Sequence, residues 1–66
     1  MDYVELNIVV KKLKGVSGGE AKHIIRSGIV SVNGATETQN KKKIVAGDTI
    51  TIEDLTFTVP ESLEIL

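Results

Sequence analysis

The chain has no cysteine and no tryptophan, and its 66 residues hold one phenylalanine (Phe57), one tyrosine (Tyr3) and one proline (Pro60). Without cysteine there is no disulfide framework and no thiolate metal site, so the usual staples of small secreted domains are excluded and a reducing cytoplasm fits. No apolar run approaches the ~20 residues that cross a bilayer, and the N-terminus is acidic rather than basic. Neither a transmembrane helix nor a signal peptide is expected; the expectation is a soluble cytoplasmic protein with no membrane partner. Scarce aromatics also remove the platforms on which sheet-face binders stack unpaired bases.

Stability must then come from packing. A chain of this length makes one domain, residues 1–66, and buries only roughly 60% of its extended surface. With 41% hydrophobic residues, the core is expected to be Val, Ile and Leu, with Phe57 and Tyr3 as its largest pieces.

The net charge of −1 hides an uneven distribution. All eight basic residues (Lys11, Lys12, Lys14, Lys22, Arg26, Lys41, Lys42, Lys43) fall between positions 11 and 43. Only Glu20 and Glu37 oppose them there, for a net of +6, while the other 33 residues hold seven acids and no base. If folding keeps these halves on different faces, the basic one is an anion-binding surface despite the acidic pI.

Residues 1–6 alternate as a short edge strand, Tyr3 and Glu5 against Val4 and Leu6. The spacing then changes: Leu6, Val9, Val10 and Leu13 mark one helical face, Asn7 is placed as N-cap, and Gly15 ends the helix behind lysines that suit the dipole. Ile8, Val9 and Val10 are β-branched and argue for a continuing strand, but a period of two leaves neither face apolar. Ser17 to Glu20 has the spacing of a capping box, opening a second helix with Ala21, Ile24 and Ile25 buried and Gly28 as its stop. Residues 29–32 follow as a strand, Asn33-Gly34 as a type I′ hairpin turn, and residues 35–38 as the return. Residues 39–43 form a polar lysine loop. After an extended Ile44-Val45 and a turn at Ala46-Gly47-Asp48, residues 49–53 and 55–59 make a second hairpin around Glu53-Asp54, with Ile50 and Ile52 inward. Pro60 stops the ladder, and Leu63 and Leu66 are expected to cover one end of the core.

Catalysis has little support. The one histidine, His23, lies on an exposed helix side, and the acids lack the spacing for acid–base work, so no enzyme, metal or cofactor is expected. Gly18-Gly19 at a helix start is read as a flexible loop entering a capped helix rather than as a phosphate cradle, since Glu20 repels anions there. The basic set carries more: Lys11 and Lys14, Lys22 and Arg26, and Lys41 to Lys43 meet on one side if the helices pack beside the sheet.

Ser17, Ala21-Lys22, Ile24-Ile25, Gly28, Val30, Val32-Asn33-Gly34 and Gly47-Asp48, in that order and spacing, resemble the signature of the RNA-binding domain named after ribosomal protein S-four, the α-L motif. The resemblance spans about residues 6–59, and the Ser-Gly-Gly-Glu-Ala-Lys wording is most similar to a small stand-alone bacterial branch. It implies an α+β fold of two short helices packed on a small bent, mostly antiparallel sheet, and a ribosome-associated role in which structured RNA, ribosomal or transfer RNA, lies along the helices and adjoining loop. By position it makes Lys22, Arg26 and Lys42-Lys43 contact residues. Gly18 stands where many members place arginine, and Gln39-Asn40 where the stand-alone branch has two. Those departures remove bidentate contacts that lysine does not replace. The expected function is a non-catalytic small RNA-binding protein using Lys11, Lys14, Lys22, Arg26, Lys41, Lys42 and Lys43. The alternative is a protein–protein adaptor on the same fold, with a ribosomal or other protein as partner.

Overall fold

A computed structural model describes residues 3–62 of the chain. Leu63 and Leu66 lie outside them. The elements run β1 (Val4–Glu5), α1 (Leu6–Lys14), α2 (Gly18–Arg26), β2 (Val30–Val32), β3 (Ala35–Thr36), β4 (Lys43–Ile44), β5 (Thr49–Ile52) and β6 (Leu55–Thr58). Among the described residues these strands form a four-stranded sheet of order β3-β2-β5-β6 and a two-stranded ladder of β1 with β4, antiparallel throughout. The fold is the expected α+β arrangement of two helices and a small antiparallel sheet.

One aliphatic core joins the layers. Leu6, Val9 and Val10 of α1, Ala21 and Ile25 of α2, Val30 and Val32 of β2, and Ile50 and Ile52 of β5 are buried together with Val4, Ile44 and Val59. The β-branched run in α1 is helical because burial outweighs propensity. Each such residue costs a few tenths of a kcal/mol in a helix, whereas burying one side chain contributes about 1.5–3 kcal/mol. The expected aromatic pieces are not central. Phe57 is half-buried at the edge of the core and Tyr3 is 37% exposed. Paired strands whose inner positions are Val and Ile leave no volume for rings at the centre.

The start of α1 differs from expectation as well. Glu5, not Asn7, is the N-cap residue, and it makes no side-chain cap bond. The acceptors come from a loop more than thirty positions later: Leu6 N–H donates to the Lys42 carbonyl at 2.9 Å and Asn7 N–H to the Asn40 carbonyl at 3.0 Å. Because β1 feeds straight into α1 and β4 pairs with β1, the chain before β4 is carried over the helix end, and its carbonyls take two of the four orphan amides. Asn7 Oδ1 and Asn40 Oδ1 are left buried without a donor.

Other helix ends follow local rules. Gly15 adopts φ 64° and donates to the Lys11 carbonyl, closing α1. Ser17 Oγ accepts from Glu20 N–H at 3.2 Å, which is the serine half of the expected capping box. Gly18 and Gly19 are the first turn of α2, not a flexible loop.

The two hairpins are joined by a clamp. Asn33 and Gly34 take φ 52° and 84°, the pattern of a type I′ turn. From that turn Asn33 Nδ2 donates to Asp48 Oδ1 at 3.0 Å, while Thr49 N–H donates to Asn33 Oδ1 at 2.9 Å. Asp48 Oδ2 also accepts from Val45 N–H at 2.9 Å. β3 is shorter than expected because beyond Thr36 only Glu37 N–H continues the ladder, to the Val30 carbonyl.

Two substitutions separate the roles of the turn. Gly34→Val should destabilise the protein by more than about 1 kcal/mol, since a β-branched residue resists positive φ. An unchanged melting temperature would show that the turn is not type I′. Asn33→Gly keeps the turn conformation and the backbone bond from residue 33 to the Thr49 carbonyl but deletes both side-chain bonds to residues 48 and 49. It should lose about 1–2 kcal/mol in denaturant unfolding, where turn propensity alone predicts no loss.

Candidate nucleic-acid interface

The uneven charge of the sequence becomes a spatial division. No lysine or arginine lies in β2, β3, β5 or β6; the bases sit on α1, on α2, and in the segment from Lys41 to β4. Among the described acids, Asp48, Glu53, Asp54 and Glu61 fall on or after the turns of the four-stranded sheet.

Helical spacing groups the bases further. On α1, Asn7, Lys11 and Lys14 share one flank beside the buried Leu6, Val9 and Val10, and Lys12 lies on the other. On α2, Lys22 and Arg26 are one turn apart on a single flank, shared with Gly18, while Glu20 projects from the opposite side. All five cations are exposed, as is His23. Nothing within 4 Å would meet a side chain added at Gly18 or Gly19, so α2 presents an open first turn beside Lys22.

The lysine loop reaches α1 through its backbone. The capping bonds from Leu6 and Asn7 fix residues 40–42 at the helix start, leaving the side chains of Lys41 and Lys42 exposed. Lys11 and Lys14 stand at the far end of the same helix, whose nine residues span roughly 13 Å. The loop and the Lys11–Lys14 flank are thereby held along one rod.

Lys43 is placed differently from its neighbours. It is a strand residue, opposite Glu5 in the β1–β4 ladder, and its Nζ lies 5.0 Å from the centroid of the Tyr3 ring. By sequence alone it reads as a third loop lysine. A two-residue strand with no alternating pattern carries no signal that could have separated it. The capping role of residues 40–42 was equally invisible, because it is backbone chemistry at long range.

Among the described residues no group of three or more His, Cys, Asp or Glu is arranged to hold a metal ion, and no helix is long and apolar enough to cross a membrane. What the helical layer offers is a set of exposed point charges on rigid elements, suited to anionic groups spaced along a surface.

Comparison with known proteins agrees with this architecture. A family model described as the S4 domain matches residues 1–60. Among solved structures, the crystal structure of a pseudouridylate synthase is similar with a TM-score of 0.77 and 25% identity, over 83% of this chain and 24% of that one. The chain thus spans about a quarter of that neighbour's length. No curated protein matches. The family match covers all but the last six residues of the sequence, and the chain belongs to the S4 domain family.

Proposed function

We propose that this protein is a non-catalytic RNA-binding module that grips the phosphates of folded RNA, ribosomal or transfer RNA, through Lys11, Lys14, Lys22, Arg26, Lys41 and Lys42. The observation that carries the reading is the segregation of every base onto the helical layer and its adjoining loop, in a chain of a family whose domains bind RNA. Phosphate contacts of this kind need exposed cations on rigid supports, and they position an RNA without reading its bases. Lys43 is left out of the contact set because its ammonium is engaged with Tyr3. The synthase chemistry of the structural neighbour is not carried over: the match covers a quarter of that chain, and the bases here form a surface rather than a pocket.

Binding should therefore weaken with salt. With four to six phosphate contacts, log K falls against log salt with a slope of roughly −3 to −5. The double variant Lys22→Ala with Arg26→Ala should bind structured ribosomal RNA more weakly and lower the slope by nearly two units. Absence of binding at low salt, or an unchanged slope in the double variant, would overturn the reading.

Gly18→Arg tests the same surface by gain. It places the arginine found in many relatives on the flank of Lys22 and Arg26, where the structure leaves open space. Affinity should rise and the salt slope should steepen by about one unit; a filter-binding titration across salt concentrations measures both.

A further inference from the structure

Beside the start of α1 lies a cleft of about 210 Å³ lined by Tyr3, Val4, Glu5 and Ile8. Tyr3 and Ile8 are 37% and 36% exposed, and among the exposed large hydrophobics (with Ile29, Val45 and Leu55) they are the two that share a cleft. The volume is below the roughly 300–1,000 Å³ of sites for drug-sized ligands, so it suits one ring system.

The one charged residue lining this cleft is Glu5, and one cation, Lys43, stands beside it. Lys43 stands opposite Glu5 in the ladder with its ammonium 5.0 Å from the Tyr3 ring centroid. The Lys42 carbonyl is bonded to Leu6 N–H, so the backbone of Lys41 and Lys42, whose side chains are exposed, is held at the same end of α1. An occupant that matches these features has a flat, uncharged face and carries an anion beside it. The Glu5 carboxylate adds a third requirement, a hydrogen-bond donor on the flat group. A purine or cytosine has one in its exocyclic amino group; an acyl chain has none.

We infer that this cleft takes a single unpaired, amino-bearing base of the bound RNA, stacked on the face of Tyr3 that Lys43 does not cover, with Glu5 accepting from its amino group, while Lys41 and Lys42 hold the flanking phosphates. The inference rests on the RNA-binding reading and sharpens it, because phosphate contacts alone carry no base preference. One ring outside the sheet face thus supplies the stacking that the composition otherwise lacks. A bulged nucleotide is the natural partner, since it is already out of the helix and little unstacking energy is spent.

Tyr3 is the chain's one tyrosine and there is no tryptophan, so its emission reports this site directly. The full chain is titrated at low salt with two RNA hairpins, one fully paired and one with a single bulged adenine, following both tyrosine emission and the anisotropy of labelled RNA. The bulged hairpin should quench the emission with the midpoint of its binding curve, and the paired hairpin should bind without quenching. Tyr3→Leu, checked by its melting curve, should weaken the bulged hairpin at least about fivefold and leave the paired one unchanged. Binding of both hairpins with equal or no quenching, or equal weakening of both by Tyr3→Leu, would overturn the inference while leaving the RNA-binding reading in place. Failure of either hairpin to bind would remove both. Emission that follows protein concentration without RNA would assign the cleft to a second copy of this chain and overturn the inference.

Discussion

Two backbone hydrogen bonds, from Leu6 and Asn7 to the carbonyls of Lys42 and Asn40, tie together more of this molecule than any side-chain contact. A nine-residue helix that enters directly from a strand has no room for a capping side chain, and its first amides are costly to bury unpaired. The loop supplies the acceptors. In doing so it brings β4 against β1, seats Ile44 in the core beside Val4 and Leu6, and fixes Lys41 and Lys42 at the end of the helix that carries Lys11 and Lys14. The same bonds that complete the helix therefore place the loop cations. The side-chain oxygens of Asn7 and Asn40 are both buried at this junction.

The second organising contact lies across the molecule, where Asn33 meets Asp48 and Thr49. A type I′ turn asks only for residues that tolerate positive φ, and glycine would serve at both positions. Asparagine at the first does more. Its amide bonds a carboxylate and a backbone N–H in the turn that starts the second hairpin, which pins the end of β2 to the start of β5. Asp48 also holds Val45 N–H, and its carbonyl accepts from Val59 N–H at 2.8 Å, which brings in the segment after β6. The Asn-Gly and Gly-Asp dipeptides, fourteen residues apart, are two halves of one joint.

Much of this fold was legible in the sequence, and the misses share one cause. Rules of spacing act over two to four residues, and they located both helices, the Gly15 and Ser17 caps, the Asn33-Gly34 turn and the inward Ile50 and Ile52. They misplaced the cap of α1, counted Asn33 as a turn former only, and set Lys43 in a loop. In each case the deciding partner was more than ten residues away. Composition misled in a different manner: Phe57 and Tyr3 are the bulkiest apolar residues, but bulk decides burial only where the core has a gap of that shape. Of the candidate site, the residue types and their helical flanks could be read in advance. The mutual placement of loop and helix could not, because main-chain carbonyls hold it.

Seven of the eight bases are lysines, and Arg26 is the exception. An ammonium is a strongly hydrated point charge without the planar fork that arginine uses to fix a phosphate or a guanine edge. A surface built from lysines gains affinity from the number of phosphates it neutralises and little from their exact orientation. Under the proposed function, selectivity then comes from the rigid spacing of the supports, with α1, α2 and the tethered loop as a template for the shape of a folded RNA. Where shape is the discriminator, a small apolar cleft at one end of the template carries disproportionate weight. In the inferred complex it is the contact whose strength depends on which base is presented.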